Sequence, residues 1–234
     1  MKNIAKGFNL DFLENLPKVK CVQCQKIYRG YENNFICFSC KERNKIMMDI
    51  AIKKEKKIKY LLDNSNIPKR YKLANFEPKN QIQKIVSDYL INNFYENKTN
   101  SDTLFFGAIG TGKTYISCAF AKDLIQRIEK NVKYITEYRL LNLYFQKDYK
   151  LFKNFRDAEI LILDEIGKRE LTDWQMIQLE ELLSYRFDEM LPTIYITNLT
   201  DSNFKTFLGD RLTDRLRESN IQRFAFNGDS FRGK

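Results

Sequence analysis

Residues 107–114 read GAIGTGKT, three glycines, a lysine and two threonines in a stretch that fits the pattern G-x-x-x-x-G-K-[ST]. The apolar run TLFF precedes it and a helical pattern follows, the context in which such a loop cradles phosphate. Gly107, Gly110 and Gly112, with Thr111 between them, let the backbone wrap phosphate oxygens with its amides pointing inward. Lys113 is expected to reach the β- and γ-phosphates, and Thr114 to place its hydroxyl on magnesium. The chemistry is nucleotide binding. Further along, AEILILDE delivers Asp164 and Glu165 to the end of a strand. Asp164 suits magnesium, as a Walker-B aspartate does, and Glu165 is placed to polarise an attacking water. An exposed acidic turn is the other reading of Glu165. Asn198 follows the strand pattern TIYIT, either to orient water beside the γ-phosphate or as an ordinary turn residue.

A second constellation is made of cysteine. Cys21 and Cys24 in CVQC and Cys37 and Cys40 in CFSC form two C-x-x-C knuckles. Two such turns supply the four thiolates of a tetrahedral site, and with no histidine in the chain all four ligands must be cysteine. The thiolate set favours zinc over iron. A redox C-x-x-C would need one motif in a thioredoxin-like context rather than two side by side. So small a module cannot build much core, and zinc is expected to supply much of its folding energy. Tyr28, Tyr31, Phe35 and Phe38 surround the knuckles, more as core than as a partner surface. Cys118 falls in an apolar helical stretch and reads as a core thiol.

These groups need elements to hold them. Strand patterns at 103–106, 132–136, 160–163, 193–197 and 221–226 alternate with helical patterns at 113–128, from Tyr138 onward, and at 173–188. Such alternation implies an α/β fold with a parallel sheet sandwiched by helices. A lysine-rich helical pattern follows the cysteines and NSNIP breaks it. The expected organisation is a four-cysteine module over 1–45, a helical linker over 46–66 and the α/β domain over 67–234. No apolar run is long enough for a membrane span and no secretory signal is legible, so a cytosolic chain is expected. Lys and Arg number 40 against 30 Asp and Glu, a net charge of +10. That suits a polyanion such as nucleic acid, biased coding being the alternative. The absence of histidine excludes a Ser-His-Asp or Cys-His triad. No N-K-x-D motif supports a GTPase, and no acceptor pocket supports a small-molecule kinase.

From about Ile67 onward the chain resembles the AAA+ ATPase domain of the DnaC/DnaI helicase loaders and their IstB-like relatives. IPKRY, GAIGTGKT, LILDEIG, LTDWQ, LPTIYITNL, GDRLTDRLRES and DSFRGK carry the resemblance, in that order. The four-cysteine module resembles the zinc-binding, helicase-interacting domain of DnaI-type loaders and not the all-helical amino terminus of DnaC. The resemblance implies a P-loop AAA+ parallel-sheet sandwich without a C-terminal lid. It implies sensor 1 at Asn198, an arginine finger at Arg215 with Arg211 as its competitor, and sensor 2 at Arg232. It further implies ATP, Mg2+ and Zn2+, ATP hydrolysis, self-association through the AAA+ domains, and two partners: a replicative hexameric DNA helicase and single-stranded DNA. The function so implied is ATP-dependent loading of that helicase in bacterial or phage DNA replication. An IstB-like transposition helper is the alternative, and a zinc-bearing DNA-binding regulator with structural nucleotide is a third reading. Within residues 138–156, Lys147, Lys150 and Lys153 with Tyr144 or Tyr149 are expected to contact DNA. The competing view is a core-packed helix built on Leu140, Leu141, Leu143 and Phe145.

Overall fold

The first elements of the chain are β1 (Lys18–Lys20) and β2 (Ile27–Arg29), an antiparallel pair with Val19 opposite Tyr28. The structure is a computed structural model that describes residues 17–29, 36–71, 77–95 and 101–231. They cluster into two compact units, Met1–Lys56 and Lys57–Lys234. In the first unit the β1–β2 turn carries Cys21 and Cys24, and Cys40 lies in the first turn of α1 (Phe38–Asp63). A reciprocal amide pair, Gln23 with Asn44 at 2.9 and 3.1 Å, ties the turn to that helix. Phe38 is 75% exposed, contrary to the expectation that it packs a small core. Tyr28 is half-buried, and Tyr31 and Phe35 lie outside the described residues.

The second unit is built on five strands: β3 (Thr103–Gly107), β4 (Val132–Thr136), β5 (Ile160–Ile166), β6 (Thr193–Thr197) and β7 (Gln222–Phe226). They lie in the order β4-β5-β6-β3-β7, every neighbour parallel. Side chains alternate across the sheet, and each face has its own core. Phe105, Ile160, Ile162, Ile194 and Ile196 meet α2 (Gln81–Tyr95) and α3 (Lys113–Ile128). On the opposite face Leu104, Leu161, Leu163 and Tyr195 meet four helices. These are α4 (Glu137–Phe145), α5 (Tyr149–Arg156), α6 (Asp173–Asp188) and α7 (Asp201–Glu218). Central strands covered on both sides read as continuous apolar runs, which is why they are legible in the sequence.

The single helix expected from Tyr138 is two. Lys147 takes φ 59° between them, and Asp148 caps α5 by accepting from the Leu151 amide at 3.1 Å. At the amino end of the sheet a buried node joins several elements. Asp102 accepts from the Thr193 amide at 2.8 Å and from the Ser219 hydroxyl at 3.2 Å. The Arg186 guanidinium, 1% exposed, donates to the carbonyls of Arg156, Ala158 and Pro192 and to the Thr193 hydroxyl. A buried charge is tolerated when its donors are met, as these are.

Candidate nucleotide-binding site

The chain leaves β3 into the glycine loop and enters α3, so the loop lies at the carboxyl edge of the sheet, where open α/β folds bind ligands. Gly107 takes φ 112° and passes so close to β7 that a Cβ would meet the Phe226 carbonyl oxygen at 2.6 Å. Gly112 takes φ 94° beside Gln83. A side chain at Gly107 would push the loop off β7, and one at Gly112 would be strained by its left-handed backbone. Lys113 donates from Nζ to the carbonyls of Gly107 at 2.8 Å and Ala108 at 2.7 Å, curled over the loop it serves. Gln83 of α2, buried, donates to the Thr111 carbonyl at 3.0 Å and accepts from the Lys79 amide at 2.8 Å. A glutamine in a helix carries no sequence signal for this role, and only the fold reveals it.

Asp164 ends the buried part of β5. Its Oδ2 accepts from the Thr114 hydroxyl and the Tyr134 hydroxyl, each at 2.9 Å, and its Oδ1 from the Glu165 amide at 2.7 Å. Burial raises its pKa above the usual carboxylate value, and the Thr114 and Tyr134 hydroxyls and the Glu165 amide oppose that. A hydroxyl and a carboxylate meeting at the P-loop are the oxygen donors that magnesium takes, so these residues fit the ion. Tyr134, on β4, is a further site residue that the sequence did not single out.

Between Leu163 and Ile166 the β5–β6 register shifts, and Glu165 takes φ 58° within this bulge. Bulges of this kind re-aim a side chain beside a site, and left-handed backbone at a non-glycine residue costs on the order of 1–3 kcal/mol. The Glu165 carboxylate accepts from Lys168 Nζ at 2.8 Å. Asn198 follows β6, exposed, on the same cleft of about 800 Å3. Gly110, Thr111, Gly112, Lys113, Thr114, Asp164, Glu165 and Asn198 thus all line one cavity, with Arg70, Tyr71, Lys79 and Tyr115 at its side. Lys122 of α3 donates to the carbonyls of Pro68 and Tyr71, both at 2.7 Å, and so fixes the segment carrying Arg70 and Tyr71. Arg70 is a cation in the cleft that the sequence did not assign.

Neither finger candidate lines the cleft. Arg215 pairs with Asp188 at 2.9 Å and lies over the Phe187 ring, and Arg211 pairs with Glu180 at 2.7 Å. Arg232 lies outside the described residues. In the segment expected to meet DNA, the core-packed reading is realised in part. Leu140 and Leu141 are buried and Leu143 half-buried, whereas Phe145 is 75% exposed. Lys147, Lys150 and Lys153 are exposed, and Tyr144 sits edge-on to Tyr149, Phe152 and Trp174.

In the first unit the Sγ atoms of Cys21, Cys24, Cys37 and Cys40 lie within 4.8 Å of one another. Tetrahedral Zn–S bonds of about 2.3 Å require sulfur edges of about 3.8 Å, and Cys24 and Cys37 are 3.8 Å apart. The backbone amides of Cys37 and Cys24 hold the Cys21 thiol down to about 6, while burial and then its thiol neighbours push Cys40 up to about 12. Four thiols this close cannot all ionise without a cation among them, so the donor set fits a thiophilic dication. Cys118 is fully buried in the second unit.

The model of the IstB-like ATP binding protein family matches residues 36–234, and the chain belongs to that family. The chain is 26% identical to the replicative helicase loader DnaC of Buchnera aphidicola subsp. Baizongia pistaciae (strain Bp), over 94% of this chain and 95% of that one. It is 24% identical to the uncharacterized protein YdaV of Escherichia coli (strain K12), over 99% and 96% of the two chains. The crystal structure of the DnaC helicase loader superposes with a TM-score of 0.62 at 21% identity, covering 68% of this chain and 100% of that one. An identity this low shows a shared fold. The protein is thus an IstB-like AAA+ ATPase related to the DnaC/DnaI helicase loaders, with a four-cysteine cluster near its amino terminus. Among the described residues no helix is long and apolar enough to cross a membrane.

Proposed function

We propose that the protein is an ATP-hydrolysing loader of a replicative DNA helicase. The observation that carries this reading is the match to a replicative helicase loader along nearly the whole of both chains, joined to a cleft lined by a P-loop, Asp164, Glu165 and Asn198. Module 1–45 would hold zinc through its four cysteines and grip the helicase, the linker 46–66 would follow, and domain 67–234 would bind ATP. Zinc would be structural, its thiolate bonds replacing the core the module lacks.

On ATP entry Lys113 exchanges two loop carbonyls for phosphate oxygens. Magnesium, held through Thr114 and Asp164, would neutralise charge on the β- and γ-phosphates. Glu165 accepts the proton of the attacking water, and Asn198 orients that water. Arg215 of a neighbouring copy meets the charge developing on the γ-phosphoryl group, with Arg232 contributing as sensor 2. The position of Arg215 outside its own cleft supports this role in trans. An arginine finger contributes on the order of 10³–10⁵ in rate. Arg215→Ala should therefore keep ATP affinity and lose most turnover, and mixing it with Lys113→Ala should restore part of the activity. Wild-type turnover by the pure mutant would contradict the shared site and turn attention to Arg70 and Arg211.

The family match favours one other reading, a transposition helper of the IstB type. Affinity capture separates them. The full chain should retain a hexameric replicative helicase from the same genome and not a transposase, and the reverse result would replace the loader reading.

A further inference from the structure

The pattern G-x-x-x-x-G-K-[ST] fixes glycine at 107 and 112 and leaves position 110 open. Gly110 nevertheless takes φ 81°, and a Cβ there would lie 2.8 Å from the Cβ of Ser230. The segment after β7 occupies that space. It leaves Phe226, whose carbonyl accepts from the Ala108 amide at 3.0 Å, and turns at Gly228 with φ 122°. The Phe231 amide then donates to the Gly110 carbonyl at 3.0 Å. Backbone bonds at Ala108 and Gly110 thus fasten residues 226–231 along the P-loop. This docking puts the Phe231 side chain in the wall of the nucleotide cleft. Phosphates take the amides of the glycine loop and the Lys113 ammonium, so sugar and base must lie along the rest of the lining. Among the described residues three aromatic side chains line it: Tyr71, Tyr115 and Phe231. Tyr71 is 8% exposed, edge-on to Tyr115 at 5.4 Å, and its hydroxyl accepts from Arg70 at 2.7 Å. Both tyrosines pack against the core of that face of the sheet. Phe231 is half-buried and shares the wall with Ile109, which is 60% exposed. The Lys79 ammonium lies 5.4 Å from the centroid of the Phe231 ring, an attraction that helps to hold the ring in the wall.

We propose that residues 228–231 are a strap fixed to the P-loop, and that the base of the bound nucleotide stacks on the Phe231 ring the strap carries. The inference rests on the reading of the cleft as an ATP site. An aromatic ring takes a base by its π-face, an interaction separate from the charge that holds the phosphates. Because the strap is bonded to the loop that receives those phosphates, the ring and the phosphate site keep one spacing. The nucleotide meets both ends of its site already formed, which lowers the cost of ordering them. The strap also gives Gly110 its reason: a side chain there would lift the strap, and the Phe231 ring with it.

The test is calorimetric titration of the full chain, in magnesium, with ATP and with inorganic tripolyphosphate, which carries the phosphates and no base. Phe231→Ala should weaken ATP binding about tenfold, the order of one base–aromatic stack, and leave tripolyphosphate binding unchanged. Phe231→Trp should keep the wild-type affinity for ATP. The indole emission it adds should be quenched by ATP and not by tripolyphosphate, whereas Trp174 lies outside the cleft. Wild-type ATP affinity in Phe231→Ala overturns the stacking. Equal weakening of ATP and tripolyphosphate also overturns it, because the ring would then act only by supporting the loop. A wild-type chain that binds neither ligand is a separate outcome: it overturns the ATP-site reading on which the inference rests.

Discussion

Lys113 donates to two neutral carbonyls of its own loop, and the charged oxygens of a nucleotide are stronger acceptors than these. Hydrogen bonds that involve a charged group contribute about 1.5–3 kcal/mol each, and those between an ammonium and a charged oxygen are the strong ones. Lys113→Ala should weaken ATP binding about a hundredfold or more, the loss of at least ~3 kcal/mol, measured by calorimetric titration. Glu165→Gln keeps the side chain's size and should bind ATP normally while turnover falls to background. If it turns over at the wild-type rate, another group activates the water. The motif residues were legible because each type has a fixed chemical duty at a fixed spacing. Gln83, Tyr134 and Lys122 were not, because their duty is to hold other groups. They do it across 28 to 51 residues of sequence, at Thr111, Asp164 and Tyr71 respectively.

Elements were legible in proportion to how completely the sheet buries them. β4 and β6 run over the expected residues, and β5 continues past Leu163 to Ile166 through the bulge that re-aims Glu165. α6 spans the expected 173–188 and starts on a capping box: the Thr172 hydroxyl accepts from the Gln175 amide, and the Gln175 side chain accepts from the Thr172 amide at 3.0 Å. α2 and α7 were not among the expected elements. α7 is interrupted at Gly209, where φ 75° and ψ 171° break the helical pattern in mid-course. α2 mixes exposed Ile85 and Ile91 with buried Val86 and Leu90, which blurs its period. The node at the amino end of the sheet makes a prediction at this scale. Burial pushes Asp102 from 3.8 up to about 6, against the pull of the Thr193 amide and the Ser219 hydroxyl. The folded chain therefore holds that proton more tightly than the unfolded chain. The stability this gives is fully present below about pH 4 and is lost as pH rises to about 6, on the order of 3 kcal/mol. Asp102→Asn keeps an oxygen for the Thr193 amide and removes the titration. Urea unfolding of both chains from pH 4 to 7 should show the variant gaining on the wild type by that order. A constant difference across the range would mean that Asp102 titrates normally.

For the whole molecule the claim is that a four-thiolate module and an ATP-binding domain act together on a helicase. Elemental analysis should find about one zinc per chain, as one four-ligand site requires. Removing it with a chelator should unfold the first unit and abolish helicase capture while the second unit still binds ATP, whose site uses none of the four cysteines. A metal-free chain that still captures helicase would disconnect the cysteines from that function. The most direct test of the loader reading is helicase loading itself. A replicative hexamer, circular single-stranded DNA and ATP are combined with the wild-type chain or with Lys113→Ala, and DNA-bound helicase is counted after gel filtration. The wild-type chain should place helicase on the circles in an ATP-dependent way, and Lys113→Ala should not. Helicase that loads equally well without the chain, or with Lys113→Ala, would contradict the loader reading.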